Sequence, residues 1–205
     1  DVTRNAADML RAAGIGSLNT DILFGLPHQT TEKIAASVQK LLTLSPDRVA
    51  LYGYAHVPWM ARRQSLIPSD ALPAPEVRLQ LFETARQLFE WDGYRQIGID
   101  HFAKRDDELS VALQGRVLHR NFMGYATRPA PHMLAFGMSG IGDVCDRFVQ
   151  NAASYEGWTE LMEMGRLPVV KGHELNDDDK LRRLAILNIM CNLELPWKLT
   201  EARFG

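Results

Sequence analysis

Residues 18–55 read LNTDILFGLPHQTTEKIAASVQKLLTLSPDRVALYGYA, and this stretch decides the fold of the chain. The apolar run Leu18–Phe24 predicts a buried strand. Apolar residues then recur at helical spacing behind Thr30 or Thr31, either of which is suited to cap a helix. A second strand is predicted over Arg48–Ala55. A strand, a helix and a strand in this order form a βαβ unit, and this implies parallel strands.

The α/β alternation continues beyond this unit. Residues 56–75 contain four prolines and predict a loop. A helix is expected to begin at Pro75 and to end at Gly93, because apolar residues recur between them at helical spacing. The run Tyr94–Ile99 predicts a third strand.

The second half of the chain has a different pattern. Short strands are predicted over Leu118–Thr127 and Met133–Gly137, followed by a helix within residues 151–164. Asn176 is expected to cap a last helix that ends at Pro196.

Composition excludes several classes of protein. Hydrophobic residues make up 46% of the 205-residue chain and charged residues 23%, as in globular proteins. The 23 basic and 25 acidic residues leave no basic excess, so we expect no nucleic-acid partner. No apolar run reaches the length of a membrane span, so no membrane partner is expected. The two cysteines form no disulfide framework and favour a reducing, cytoplasmic setting.

The two ends of the sequence predict a piece of a longer protein. The chain starts with Asp1 rather than Met, and a helical pattern begins at once. The last residues, Leu199–Gly205, form no tail.

Asp21 is the first candidate for a functional residue. A carboxylate inside an apolar strand is costly unless it is paired or lies near the end of the strand. Ligands bind at the carboxyl ends of parallel strands, which makes Asp21 a candidate ligand-binding residue. The alternative is a structural carboxylate that caps a nearby loop.

The histidines, cysteines and acidic residues give weaker signals. No histidine pair has a metal-binding spacing, so no metal site is assigned. His56 and His101 follow predicted strand ends and are candidates for acid–base chemistry, although a hydrogen-bonded loop histidine is the more common outcome. Residues 106–108 are acidic and are best explained as charge at a helix N-terminus. Cys145 and Cys191 are expected to be buried apolar residues.

The segment Gly137–Gly142 is rich in glycine but lacks the order and the lysine of a phosphate loop. Two interpretations stay open for it. One is a flexible backbone that approaches a ligand closely, and the other is a strand bulge and turn.

Several phrases resemble those of one family, in the same order. Asp21–Thr30 resembles DLIYGLPHQT of the oxygen-independent coproporphyrinogen III oxidases, and Tyr54–Pro58 resembles their YAHLP. Ile99–Ala103 with 106–109 resembles MDHFA…DDEL, and 118–125 resembles LHRNFQGY. The glycine-rich segment with Gln150-Asn151 resembles the phrase that follows. The matches extend from about residue 20 to 192.

The resemblance implies a radical S-adenosylmethionine (SAM) enzyme that converts coproporphyrinogen III to protoporphyrinogen IX in haem biosynthesis. It implies an α/β fold that is part of a (β/α) radical SAM partial barrel, with the start of a C-terminal helical domain. Residues 1–145 would form the second half of the barrel and its extension, and residues 146–205 the start of the helical domain. The substrate would be a porphyrinogen.

The resemblance also implies cofactor-binding residues, while no residue is assigned a catalytic role. Asp21 matches a residue that holds a first SAM, and Ala55 and Ile141 match residues that line the SAM pockets. Phe122 and Met123 match the site of a second SAM. The family commonly has Gln at the position of Met123, and a thioether cannot donate an amide hydrogen bond.

The cluster-binding motif of the family, CxxxCxxC, is absent from these 205 residues. The [4Fe–4S] cluster would therefore be held by a part of the parent protein that this chain lacks, and we expect the chain alone to be inactive. Exposed barrel edges predict self-association. Two alternatives stay open, a haem chaperone of the same superfamily and a structural module without the cofactor half.

Overall fold

The computed structural model describes residues 2–195 and 197–204, and it divides into two units. The first unit ends at Gln114 and the second begins at Gly115. The predicted domain boundary between residues 145 and 146 lies inside the second unit, so the compact units divide the chain at a different point.

The first unit has a four-stranded sheet with helices packed on it. Its strands lie in the order β1-β2-β4-β3, with β1 and β2 parallel and the other pairs antiparallel. Its elements are α1 (Val2–Ala12), β1 (Asn19–Phe24), α2 (Thr31–Leu42), β2 (Arg48–Gly53), α3 (Pro75–Trp91), β3 (Arg95–Ile97), β4 (His101–Ala103) and α4 (Glu108–Gln114), with 3₁₀ turns at Arg62–Leu66 and Ser69–Ala71.

The predicted βαβ unit is confirmed as β1, α2 and β2. β1 was predicted to be buried, but each of its residues is partly or largely exposed. The Thr30 hydroxyl accepts a hydrogen bond from the Lys33 amide and caps α2. Ile34 and Val38 of α2 are fully buried. They pack with residues of β2, α3 and β4 in one apolar core, which comprises Ile34, Val38, Val49, Leu51, Leu81, Ala85, Phe89, Tyr94 and Phe102.

The third predicted strand is shorter than expected, and the strand beside it was not predicted. In the structure β3 covers only Arg95–Ile97, and the chain then turns back to form β4, which pairs with β3 in antiparallel orientation. β4 then runs antiparallel to β2. The parallel βαβ pattern therefore ends after β2, because the three residues between β3 and β4 cannot make a parallel crossover.

The second unit contains two small antiparallel sheets and three helices among its described residues. One sheet is the hairpin β5-β6, and the other has the order β7-β8-β9. Its elements are β5 (His119–Asn121), β6 (Gly124–Ala126), β7 (Ile141–Val144), β8 (Arg147–Asn151), α5 (Tyr155–Glu163), β9 (Val169–Glu174), α6 (Asp177–Asn192) and α7 (Trp197–Phe204).

The structure corrects several predictions in this unit. The strand predicted over Leu118–Thr127 is a hairpin. The strand predicted over Met133–Gly137 is reduced to one bridge, in which Met133 pairs with Asp143. β9 was not predicted. Cys145 is exposed rather than buried, because it lies in the turn between β7 and β8 with a φ of 51°.

The last long helix is confirmed, with Asn176 as its cap. The Asn176 side chain accepts a hydrogen bond from the Asp179 amide, and the Asp179 carboxylate accepts one from the Asn176 amide. Cys191 is buried in this helix, as predicted. The helix ends at Asn192, and Pro196, which was expected to end it, lies outside the described residues.

Within the part of the chain that the structure describes, every helix is too short or too polar to cross a membrane.

Candidate functional site

Asp21 lies in the middle of β1, opposite Ala50 of β2. Its side chain is exposed and accepts a hydrogen bond of 3.0 Å from Asn19 Nδ2. The carboxylate is therefore in contact with water and carries no burial cost. Asp21 also lines an open pocket of about 270 Å³ beside α2, whereas Ala55 does not line it.

Ala55 lies just beyond the end of β2 and is exposed. Its carbonyl accepts a hydrogen bond of 3.1 Å from Gln64 Nε2. Gln64 Oε1 in turn accepts one of 2.6 Å from the Val57 amide. One glutamine side chain therefore fixes the backbone on both sides of residue 56, at the start of the loop predicted over residues 56–75.

Arg78, which sequence analysis missed, extends from α3 to the ends of β1 and β2. Its Nη1 donates a hydrogen bond of 2.9 Å to the Tyr54 carbonyl, and its guanidinium lies 5.7 Å from the centre of the Phe24 ring. A Cβ atom on Gly25 would lie 2.8 Å from Nη1, and one on Gly53 would lie 3.0 Å from Nη2. The sequence feature that could have indicated this arginine is the pair of glycines at the strand ends, Gly25 after β1 and Gly53 at the end of β2.

Phe122 and Met123 form the two-residue turn between β5 and β6. Both side chains are largely exposed, at 71% and 81%. The Met123 amide donates a hydrogen bond of 2.9 Å to Asn121 Oδ1, which stabilises the turn.

A cavity of about 570 Å³ lies in the second unit, and Phe122 and Ile141 both line it. Met123 is not among its lining residues. Its apolar wall includes Met133, Phe148, Ile186 and Met190, and its polar wall includes His119, Asp143, His173, Asp179, Arg182 and Arg183. The size is that of a site for a small molecule.

Ion pairs set the charge of the cavity wall. Arg183 pairs with Asp143, Arg182 pairs with Asp178, and His173 Nε2 lies 3.1 Å from Asp179. Burial lowers the pKa of His119, and the Arg183 guanidinium lowers it further. The imidazole of His119 is therefore held toward its neutral form.

The two candidate acid–base histidines each have a close polar neighbour. His56 Nδ1 lies 3.3 Å from the Tyr54 hydroxyl. His101 Nδ1 lies 2.6 Å from Asp100 Oδ1 in a partly buried pair, and its ring meets the Tyr52 ring edge-on. The carboxylate fixes the Nδ1–H tautomer of His101.

The acidic residues at 106–108 are explained by a helix N-terminus, as predicted. Asp107 Oδ1 accepts a hydrogen bond of 2.8 Å from the Leu109 amide at the start of α4. The same carboxylate pairs with Arg48 at 2.8 Å.

The glycine-rich segment packs closely against the residues that precede it in the chain. A Cβ on Gly142 would lie 3.1 Å from the Met133 carbonyl oxygen, and one on Gly140 would lie 3.0 Å from the Ala135 Cβ. Gly137 has a φ of +83°. These contacts favour the turn and bulge interpretation, since the missing side chains leave room for protein atoms.

Relatives of known function match nearly the whole chain, although no family model does. An oxygen-independent coproporphyrinogen III oxidase of Paracoccus denitrificans is 51% identical over 195 residues, which cover 95% of this chain and 43% of that protein. A protein of the same name from Cereibacter sphaeroides is 45% identical over 203 residues, with coverages of 99% and 45%.

A solved structure of coproporphyrinogen III oxidase from Escherichia coli, described as a radical SAM enzyme, matches with a TM-score of 0.91. It is 34% identical, and the match covers 98% of this chain and 46% of that chain. The chain is a relative of the oxygen-independent coproporphyrinogen III oxidases.

This relationship confirms the predicted resemblance and the α/β partial fold of a radical SAM enzyme. The chain spans less than half the length of these coproporphyrinogen oxidases. The division at residue 145 and the cofactor contacts of Asp21, Ala55, Phe122, Met123 and Ile141 stay predictions.

Proposed function

We propose that this chain is part of an oxygen-independent coproporphyrinogen III oxidase that acts in the cytoplasm. The reaction would take a hydrogen atom, an electron and CO₂ from each of two propionate groups of coproporphyrinogen III and leave vinyl groups, which gives protoporphyrinogen IX. The similarity to proteins of that name over 95% and 99% of the chain supports this proposal.

One observation carries the assignment of SAM to this chain. Phe122 and Ile141 are far apart in sequence, yet both line the cavity of the second unit. An aromatic face and an aliphatic side chain suit the faces of an adenine ring, and a base stacked on an aromatic side chain gains about 1–3 kcal/mol. The side chains present therefore fit the adenosine part of SAM.

The chain would contribute to two SAM sites. Asp21 would accept hydrogen bonds from the ribose or amino group of a first SAM, and the small side chain of Ala55 would leave room for the ligand beyond the end of β2. Phe122 and Ile141 would hold the adenosine of a second SAM, with Met123 at the adjoining turn. When bound, SAM would supply the radical chemistry of the reaction. These residues would bind it, orient it and exclude water.

The cysteines of this chain do not fit a [4Fe–4S] cluster. Cys145 is exposed in a turn, Cys191 is buried in α6, and no group of three metal-binding side chains occurs among the described residues. Such a cluster needs cysteine thiolates at close spacing. We therefore expect no turnover from the isolated chain, and a stable, stoichiometric cluster after anaerobic reconstitution with iron and sulfide would contradict this.

The free edge of β1 supports the proposal that the isolated chain self-associates. Among the described residues β1 pairs only with β2, and Leu23 on it is 45% exposed. An unpaired edge with apolar side chains invites strand pairing between copies. Size-exclusion chromatography is expected to give dimers or larger species, and a clean monomer would contradict this.

Titration calorimetry of the chain with SAM tests the proposed function. Phe122→Ala is expected to weaken SAM binding about tenfold, because it removes the aromatic face. Phe136→Ala is the matched control, since Phe136 is 91% exposed and does not line the cavity. Equal affinity for all three proteins would contradict the proposal. A one-to-one haem complex without any SAM binding would instead favour the haem chaperone.

A further inference from the structure

We propose that Arg78 is a positioning residue of the first SAM site. It would hold the turns that follow β1 and β2 in the arrangement that the ligand needs. The inference rests on the proposed function, because it takes Ala55 and Asp21 as the residues that meet SAM.

Arg78 acts on the site through the backbone that follows β2. Its Nη1 donates to the Tyr54 carbonyl at 2.9 Å, and Ala55 is the next residue along the chain. The Tyr54 amide donates a hydrogen bond of 2.8 Å to the Phe24 carbonyl at the end of β1. The Arg78 guanidinium thus holds Tyr54, whose amide is hydrogen-bonded to the end of β1 and which directly precedes Ala55.

The site is shaped to receive this guanidinium. Gly25 has a φ of +79° and lies against Nη1, while Gly53 lies against Nη2. Any side chain at either position would meet the guanidinium at 3.0 Å or less from Cβ. The Phe24 ring packs on the guanidinium and contributes a cation–π contact.

The planar, branched head of arginine explains the choice of residue. Nη1 bonds the Tyr54 carbonyl and lies against Gly25 at the end of β1, while Nη2 lies against Gly53 at the end of β2. Both strand ends therefore contact the same rigid group. Lysine keeps the charge and one donor but lacks the second arm. Methionine, a neutral side chain of similar shape near the backbone, keeps only the apolar stem.

Three variants of the chain separate positioning from general stability. Arg78→Met removes the head group and Arg78→Lys keeps the charge. Arg86→Met is the matched control, because Arg86 lies on the same helix and pairs with Glu83 and Glu90 at its surface. SAM affinity is measured by calorimetry, and backbone order by hydrogen exchange of the Tyr54 amide.

We expect Arg78→Met to weaken SAM binding about tenfold and to speed exchange of the Tyr54 amide, because a charged hydrogen bond is lost. Arg78→Lys is expected to recover only part of the affinity, because it keeps a charged donor but lacks the second arm. Arg86→Met is expected to bind SAM as the wild type does. Unchanged SAM affinity in Arg78→Met, or an equal loss in Arg86→Met, overturns this inference alone. A wild-type chain that binds no SAM overturns the proposed function, and the inference with it.

Discussion

The two units of the chain are built in different ways. In the first, one cluster of buried side chains joins helices and sheet, and Ile34, Leu81, Phe89 and Phe102 are fully inaccessible. In the second, the most buried apolar side chain that the structure describes is Cys191, at 3% exposed. Its sheets are short, and a cavity of about 570 Å³ lies among its side chains.

This difference shows where each unit obtains its stability. A fully buried leucine or phenylalanine contributes about 1.5–3 kcal/mol, so the first unit is stabilised by its own packing. The second unit has turns, caps and ion pairs around an open cavity, and such contacts contribute less per residue. A ligand that fills the cavity would bury the apolar side chains of its wall and so raise the stability of the second unit.

The largest expected effect is the difference in stability loss between truncating one phenylalanine in the first unit and one in the second. Phe102→Ala should lower the free energy of unfolding by about 3–5 kcal/mol, because Phe102 is fully buried and its ring lies 4.9 Å from that of Phe89. Phe148→Ala should cost less than about 1 kcal/mol, since Phe148 is 39% exposed. Urea unfolding of both variants measures the difference, and equal costs would remove the contrast between the units.

A smaller effect is expected from Asp47→Asn, which tests a polar contact of the first unit. Asp47 accepts a hydrogen bond of 2.8 Å from the Leu18 amide and lies 3.2 Å from Lys104 Nζ. Burial raises the pKa of this carboxyl, but the Leu18 and Lys104 contacts outweigh it, so the net pKa lies below 3.8. Loss of the charge should cost about 1 kcal/mol at neutral pH.

The pH dependence gives a second measure of the same carboxylate. Its stabilisation is present above pH 3.8 and is lost as the pH falls through the lowered folded-state pKa. Melting temperatures from pH 7 down to 3 should therefore fall less steeply in Asp47→Asn than in the wild type. Asp70→Asn, at an exposed position in the same unit, should match the wild type, and parallel curves for all three would contradict the prediction.

The smallest effect is expected from His119→Gln in the second unit. Burial and Arg183 lower the pKa of His119 below 6.5, so the unfolded chain binds a proton more readily than the folded one. The neutral imidazole therefore contributes stability above pH 6.5, and this is lost as the pH falls through the folded pKa. The variant should lose less stability than the wild type between pH 7 and 5, measured by thermal melting. An unchanged pH dependence would show that the cavity wall is as open to water as the surface.

The same contrast explains which parts of the fold could be predicted from sequence. α2 was predicted because Ile34 and Val38 repeat on one buried face, and α6 because Asn176 has the chemistry of a cap. β9 was missed because all of its residues are exposed, so no alternation marks it. Met133–Gly137 has the sequence pattern of a strand but makes only one bridge, since the backbone turns at Gly137.

Residues of the candidate site were found by resemblance more than by pattern. The sequence alone marked Asp21, because a carboxylate in an apolar strand is unusual. It could not show that Phe122 and Ile141 share a cavity, since this depends on the pairing of short strands. Arg78 was missed because its partners are backbone atoms and two glycines distant in sequence.

The position of β2 between β1 and β4 has a consequence for synthesis on the ribosome. β2 can pair with β1 soon after it emerges, but its other edge must wait for His101–Ala103, roughly fifty residues later. At about 5–20 residues per second, that edge stays open for several seconds in every nascent chain. The stretch that decides the fold is thus also the stretch that most needs shielding while the protein is being made.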